Sequence, residues 1–280
     1  MHHSLTRPAS RQPFAALFAA LFTIGAVGAC SADHAPGSKS ARAETSAKTD
    51  DSAAGTVDLG GAPYTAEAVT TPGTVTGTIT LTGAPRMDTV PVTVDQPVCG
   101  QSAEGPVSAT AKGLSNSVVW IADITKGKAL PESRRIDLSS EDCGLDPRVQ
   151  AAVVGTTVNV TNADRLLHKL IFTPIGTHDT LTMMPFFNTG QVVPSERLAK
   201  VPGIVEVTCV MHPWTRAYIA VFDHPYYAVT DDDGKFTIDS LPPGSYKMMV
   251  WHEGAAQPVE QQIQVAPNGS AKVDVALTIK

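Results

Sequence analysis

The chain has 280 residues, which is enough for one or two domains with hydrophobic cores of their own. Its net charge is −6, and Arg7 and Arg11 are the only charged side chains among the first 29 residues, so the remainder is more acidic still. This balance lacks the basic surface that nucleic acids require, and we expect no nucleic acid partner.

The N-terminus has the pattern of an export signal. Arg7 and Arg11 precede the apolar run FAALFAALFTIGAVGA, which is shorter than a membrane span. The run ends in VGAC, and small residues that close on a cysteine resemble the bacterial lipoprotein signal. This resemblance implies cleavage of residues 1–29 and a lipid on Cys30, which would anchor the protein on the periplasmic face of the outer membrane or at the cell surface. An ordinary signal peptide cut nearby is the alternative.

Export places the four cysteines in an oxidising compartment. With Cys30 as the lipid anchor, we predict that Cys99 and Cys143 form a disulfide. Cys209 is then left over, and an odd thiol in an exported protein needs an explanation. Metal ligation is one, because a metal-bound thiolate is protected from pairing.

The chain changes character at Gly73. Residues 30–72 contain almost no large apolar side chains, so we predict a disordered tether. From Gly73 onward the sequence consists of short apolar runs, rich in β-branched and aromatic residues and bounded by Gly, Pro, Asn or Asp. The run TVTGTITLTG alternates, with Val75, Ile79 and Leu81 on the expected inner face. No run shows a helical period, so we predict an all-β sandwich or barrel.

Two strand ends carry candidate metal ligands. In VNVTNADRLLHKLIF a strand ends at Asn162, and His168 opens the next one. In VEVTCVMHPWT a strand runs into a loop with Cys209 and His212. Loops at one end of a sandwich cluster, so these side chains could converge into two imidazoles and one thiolate. That set favours copper in electron transfer, since structural zinc usually has four strong ligands. The alternative is that Cys209 is a buried thiol that binds nothing.

The stretch 159–221 resembles the cupredoxins, and the Cys209 loop is most similar to that of amicyanin. There the loop reads Cys, two residues, His, Pro, an aromatic residue and Met. The resemblance implies a Greek-key β-sandwich that binds one copper ion through His168, Cys209 and His212. It also implies a transient redox partner, which would dock on Pro213 and Trp214 beside an exposed edge of His212.

Two positions depart from the cupredoxin pattern. Thr215 stands where the family has its axial Met, and Lys169 stands where an Asn commonly braces the cysteine loop. Because the axial bond is weak, its loss need not abolish copper binding. The axial position could be taken by Thr215 Oγ1, a water or the carbonyl of Leu167, with Met183 and Met184 as remote alternatives. Met211 is a poor candidate, because its side chain should point away from its neighbour His212.

A second resemblance covers the C-terminal part. The stretch AVTDDDGKFTIDSLPPGSYKMMVWHEG resembles the carboxypeptidase regulatory-like, or transthyretin-like, β-sandwich, and GTVTGTITLTGAP resembles the opening strand of that family. We therefore predict a discontinuous small sandwich formed by 73–98 and 226–280, with a cupredoxin-like domain at 99–225 inserted in it. Two sequential domains are the alternative. The motif residues are Thr230, Asp231, Gly234, Phe236, Leu241, Pro242, Pro243, Gly244 and Tyr246.

These features favour a lipid-anchored copper protein that transfers single electrons outside the cytoplasm. The alternative is a copper carrier, or a surface-interaction lipoprotein with a vestigial site. We do not expect an enzyme, because the sequence shows no nucleophile elbow, phosphate loop or paired carboxylates. His178, His224 and His252 are expected at the surface or at strand ends, and His252 with Glu253 is weak evidence for a second site.

Overall fold

The computed structural model describes residues 57, 59 and 63–279, almost all of them in strands or in short connections. The predicted signal peptide, Cys30 and most of the predicted tether lie outside these residues. Within the described part, no helix is long and apolar enough to cross a membrane.

Strands of two to nine residues follow one another through the described chain. In the first half they are β1 (Thr65–Ala66), β2 (Gly73–Leu81), β3 (Met87–Pro91), β4 (Ser102–Ser108), β5 (Val118–Ala122), β6 (Lys126–Gly127), β7 (Arg135–Glu141), β8 (Gly144–Asp146), β9 (Val149–Val153) and β10 (Thr157–Asn162). In the second half they are β11 (His168–Pro174), β12 (Thr182–Phe186), β13 (Gln191–Ser195), β14 (Gly203–Cys209), β15 (Arg216–Phe222), β16 (Tyr227–Val229), β17 (Lys235–Leu241), β18 (Gly244–Trp251), β19 (Val259–Val265), β20 (Ser270–Lys272) and β21 (Val275–Leu277). One helical turn, α1 (Gln96–Cys99), and a 3₁₀ turn, Arg197–Ala199, complete the list.

The smaller of two β-sandwiches combines the beginning and the end of the described chain. One sheet has the order β17-β2-β20, with β21 also paired to β2, and the other has the order β16-β5-β18-β19. Along β2 buried and half-buried residues alternate, as the sequence pattern predicts. The antiparallel pairing of β2 with β17 sets Gly77 opposite Phe236, so the opening strand lies beside the C-terminal stretch, as a discontinuous sandwich requires.

The structure places β5 differently from the predicted domain boundaries. The prediction assigns Val118–Ala122 to the 99–225 domain, whereas the strand lies between β16 and β18 in the small sandwich. Val119 and Ile121 face the core of the small sandwich, while Val118 and Trp120 face the larger one. A strand that is apolar on both faces fits this position, because both faces of its sheet are covered.

The larger sandwich packs a five-stranded sheet, β12-β11-β14-β15-β9, on a four-stranded sheet, β13-β10-β7-β8. Both sheets are mixed, since β9 runs parallel to β15 and β7 parallel to β10. Its core contains Leu138, Val160, Phe172, Phe186, Val207 and Ile219, and Cys209 belongs to the same cluster.

A third apolar cluster joins the two sandwiches. Trp120 from β5 contacts Phe222 from β15, with ring centroids 5.9 Å apart, and Tyr218 meets Trp251 edge-on at 5.2 Å. Val57 and Leu59 are buried in this cluster, and β1 pairs in parallel with β6. The structure therefore corrects the prediction that the tether extends to residue 72, because its last part packs on the folded chain.

The β3–β4 hairpin forms its own two-stranded sheet, and Val107 from β4 packs in the core of the small sandwich. Residues 92–101, which connect its strands and include α1, are called the cover segment below. The predicted disulfide between Cys99 and Cys143 is confirmed, and it ties the cover segment to the turn between β7 and β8.

One buried hydroxyl supports the start of the regulatory-like motif. Thr230 Oγ1 accepts a hydrogen bond from the Ser117 amide at 2.9 Å and donates one to the Leu114 carbonyl at 2.8 Å. We expect Thr230→Val to lower the free energy of unfolding by about 1–3 kcal/mol, because two buried backbone groups lose their partner. Urea titration measures this, with the exposed Thr237→Val as the control. A Thr230→Val protein as stable as the control would contradict the prediction.

Candidate metal centre

Strand pairing brings His168 next to Cys209. β11 and β14 are antiparallel neighbours, and Leu170 lies directly opposite Cys209. His168 is two residues from Leu170 and therefore on the same inward face of β11. His212 reaches the same point from the loop between β14 and β15.

The three side chains form a buried triangle. Cys209 Sγ lies 3.6 Å from His168 Nδ1 and 3.8 Å from His212 Nδ1, and the two Nδ1 atoms are 3.2 Å apart. The three ligand atoms lie within 4.8 Å of one another. A triangle with these sides has a centre about 2 Å from each corner, the usual length of a bond from a metal to imidazole or thiolate. The donors therefore fit one metal ion.

Asp164 orients the first imidazole. Its Oδ2 lies 2.8 Å from His168 Nε2, and both side chains are buried. A carboxylate can only accept, so Nε2 carries the proton and Nδ1 presents its lone pair to the triangle. Burial lowers the pKa of His168, and His212 adds to this effect while Asp164 opposes it.

Asn162 braces the loop that carries Asp164. Its Oδ1 accepts from the Asp164 amide at 3.1 Å and from Ser140 Oγ at 3.0 Å. Its Nδ2 donates to the Leu166 carbonyl at 3.0 Å. The cysteine loop is braced by backbone, because the Val210 amide donates to the carbonyl at position 169 at 2.9 Å. This bond continues the pairing of β11 with β14 by one residue beyond Cys209.

His212 lies beneath the cover segment, which corrects the prediction of an exposed edge. Its ring is 1% exposed, and Nε2 lies 3.2 Å from Asp95 Oδ2. Pro213 is exposed as predicted, but Trp214 is buried against the Cys99–Cys143 disulfide. The Trp214 ring lies 5.3 Å from that of His212. The docking patch predicted for these two residues is therefore reduced to Pro213 and the edge of Trp214.

Thr215 is buried, and its hydroxyl donates to the Cys143 carbonyl. Its amide donates to the carbonyl of His212 at 2.9 Å, which closes the ligand loop. The three methionines considered for the axial position differ in their burial. Met184 packs in the core of the larger sandwich, whereas Met183 and Met211 are 44% and 46% exposed.

Cys143 connects the parts of the centre. Its amide lies 3.2 Å from a carboxylate oxygen of Asp164, its carbonyl accepts from Thr215, and its sulfur bonds to Cys99. The two disulfide sulfurs also lie within 4.8 Å of a ring nitrogen of His212. The turn at Cys143 thereby links Asp164, which contacts His168, to the loop that carries His212 and to the cover segment.

Three further histidines lie in the described part of the chain, and none of them joins the triangle. His178 is exposed, as one alternative predicted. His224 and His252 are buried rather than at the surface, and both lie close to strand ends, since His252 directly follows β18 and His224 lies between β15 and β16. Burial lowers the pKa of each of these two to about 4, so both are neutral near pH 7. Glu253 is held by Arg148 in a buried bidentate pair, with contacts of 2.6 and 2.9 Å, and is not available as a ligand beside His252.

The sequence did not predict that Asp95, Asp164 and Asn162 would support the candidate metal centre. Asp164 carries a local signal, because it precedes His168 by four residues in the loop NADRLLH. Asp95 has none, since it is separated from His212 by 117 positions.

Comparisons with known proteins find matches to parts of this chain. The family model for the carboxypeptidase regulatory-like domain matches residues 203–278. No curated protein matches the chain. Solved structures that match include a copper-containing nitrite reductase from Thermus scotoductus SA-01, with 20% identity, a TM-score of 0.29, and coverage of 32% of this chain and 23% of that one.

Two further solved structures match over a similar share of this chain. A purple cupredoxin from Nitrosopumilus maritimus has 20% identity and a TM-score of 0.26, over 30% of this chain and 97% of that one. Amicyanin from Paracoccus versutus has 17% identity and a TM-score of 0.27, over 33% of this chain and 84% of that one. Each similarity therefore concerns about a third of this chain.

Proposed function

We propose that this chain is a lipid-anchored, extracytoplasmic protein that binds one copper ion through His168, Cys209 and His212 and transfers single electrons. The observation that supports it most directly is the buried triangle of two Nδ1 atoms and one Sγ, whose centre is at bonding distance from all three. A trigonal His₂Cys set is the donor arrangement of copper electron-transfer sites.

The donor chemistry favours copper over zinc. Structural zinc sites usually have four strong protein ligands, and the two other described cysteines are joined in a disulfide. Copper bound to this set would supply a one-electron couple, because a soft thiolate stabilises the lower oxidation state and imidazole accommodates both.

The protein supplies rigidity and exclusion of water. His168 and Cys209 lie at the ends of paired strands, Asp164 fixes one imidazole, and all three ligands are buried. A site held in one geometry needs little rearrangement when its charge changes.

Access for a partner would be at the ligand loop. The exposed Pro213 and the edge of Trp214 line a small open cleft together with Arg148, Arg216 and Glu253. A small transient interface of this kind suits redox partners. Because the Trp214 ring packs on His212, it is the side chain that connects the ligand to this cleft.

The lipid anchor and the location outside the cytoplasm rest on the N-terminal sequence, including Cys30. In this proposal the chain is not an enzyme. The competing function is a copper carrier or a surface-interaction lipoprotein, and the buried ligands and the cover segment weigh against ready release of an ion.

Copper loading tests the proposal. The purified protein is incubated with Cu(II), desalted, and examined by metal analysis, visible absorption and EPR. We expect one copper per chain and an intense thiolate-to-copper band. A colourless protein that retains no copper would refute the proposal, and rapid loss of copper to a chelator would favour the carrier.

A further inference from the structure

The outer nitrogen of His212 has a partner from a distant part of the chain. Asp95 Oδ2 lies 3.2 Å from His212 Nε2. The His212 side chain is 1% exposed, whereas that of Asp95 is 48% exposed. The carboxylate therefore lies between the ligand and the solvent.

The position of Asp95 is set by its own segment. Its backbone is left-handed, with φ 52° and ψ 28°, a conformation that Asp tolerates better than most residues. Its carbonyl accepts from the amides of Val98 and Cys99, each at 2.9 Å. Cys99 is in turn fixed by the disulfide to Cys143. The backbone that carries the carboxylate is thus held in place by contacts that do not involve a metal.

The two imidazoles are held in the same way. Asp164 lies on Nε2 of His168 at 2.8 Å, and Asp95 lies on Nε2 of His212. In both rings the other nitrogen, Nδ1, faces Cys209 Sγ. A carboxylate on the outer nitrogen of a ligating histidine fixes its tautomer and strengthens it as a ligand.

We infer that Asp95 is a positioning residue of the metal centre. It holds His212 in the tautomer whose Nδ1 can ligate, it closes the outer edge of that ligand to water and chelators, and it places a negative charge beside the centre. The inference rests on the proposed function, that these three residues bind copper, and it adds a role for the cover segment.

Substitution of Asp95 tests the inference. Asp95→Ala removes the hydrogen-bond acceptor and the charge, whereas Asp95→Asn removes the charge and leaves an acceptor oxygen. Glu132→Gln is the control, because it also removes one carboxylate, from an exposed loop ahead of β7. Three quantities are measured: the rate of copper loss to a chelator, the reduction potential, and the tautomer of His212 in the metal-free protein by ¹⁵N NMR.

We expect the Ala variant to bind copper about 10–100-fold more weakly and to lose it faster. Both Asp95 variants should have a higher reduction potential than the wild type. The negative charge of Asp95 stabilises Cu(II) more than Cu(I), and both variants remove it. A tenfold larger loss of affinity for Cu(II) than for Cu(I) corresponds to a rise of about 59 mV. The His212 tautomer should be mixed in the Ala variant and retained in the Asn variant, and Glu132→Gln should match the wild type.

Two failures are distinguishable. If Asp95→Ala keeps the wild-type potential, copper loss and tautomer, the inference is overturned while copper binding stands. If the wild type binds no copper, the proposed function fails. The NMR comparison then still decides the positioning role, because a mixed tautomer in the metal-free Ala variant supports it and an unchanged one refutes it.

Discussion

If the proposed copper site is correct, we expect the Cys209→Ser substitution to abolish the thiolate-to-copper absorption band and to weaken copper binding by at least about 100-fold. Loss of an outer partner of a ligand already costs about 10–100-fold, and Cys209 belongs to the ligand triangle itself. The serine hydroxyl stays protonated near pH 7 and cannot replace a thiolate. Visible absorption and competition with a chelator measure the two effects.

The matched control is Met211→Leu in the same loop. Met211 is 46% exposed, and leucine has a similar volume and no sulfur. The control should keep the band and the affinity of the wild type. A band that survives in the Cys209→Ser protein would show that the ligand assignment is wrong, and a band lost in Met211→Leu would show that its loss is not specific to the Cys209 thiolate.

The disulfide variant Cys99→Ala/Cys143→Ala is expected to lower the free energy of unfolding by about 4 kcal/mol. The bond closes a loop between residues 44 positions apart, and the loss of such a constraint on the unfolded chain has this magnitude. Alanine is chosen because both sulfurs are buried, so that no polar group is introduced. Guanidinium titration of the metal-free protein measures the change.

The same variant should also lose copper faster, because the disulfide holds the cover segment that carries Asp95. Val98→Ala is the control, since Val98 is 52% exposed on the same helical turn. Equal stability of the double variant and the control would contradict the structural role of the bond. Wild-type copper retention in the double variant would contradict its link to His212.

Much of the candidate centre could be predicted from local sequence. His168 opens one apolar run, and Cys209 ends another, three positions ahead of His212. Because loops at one end of a sandwich cluster, these side chains could converge, and the resemblance to the cupredoxins implied that they form one ligand set. The structure brings the three together, and the Cys99–Cys143 disulfide, inferred from counting cysteines, is present.

The partners of these residues could not be predicted in the same way. Trp120 and its neighbours in β5 form a run that is apolar on both faces, and such a pattern predicts a buried strand but does not specify which sheet it joins. The choice depends on which edges and faces remain uncovered once the chain has folded. Sequence order therefore favoured the 99–225 domain, whereas packing placed the strand in the small sandwich.

By itself, the sequence determined the all-β character of the chain, the motif of the small sandwich and the three donor side chains, because these depend on residue type and local spacing. Only the tertiary structure decided what surrounds the donors. It buried His212 beneath Asp95, directed the hydroxyl of Thr215 to Cys143, and packed Trp214 against the disulfide. These contacts join segments far apart in the chain, and their existence depends on how the sheets and the cover segment pack, which no local pattern encodes.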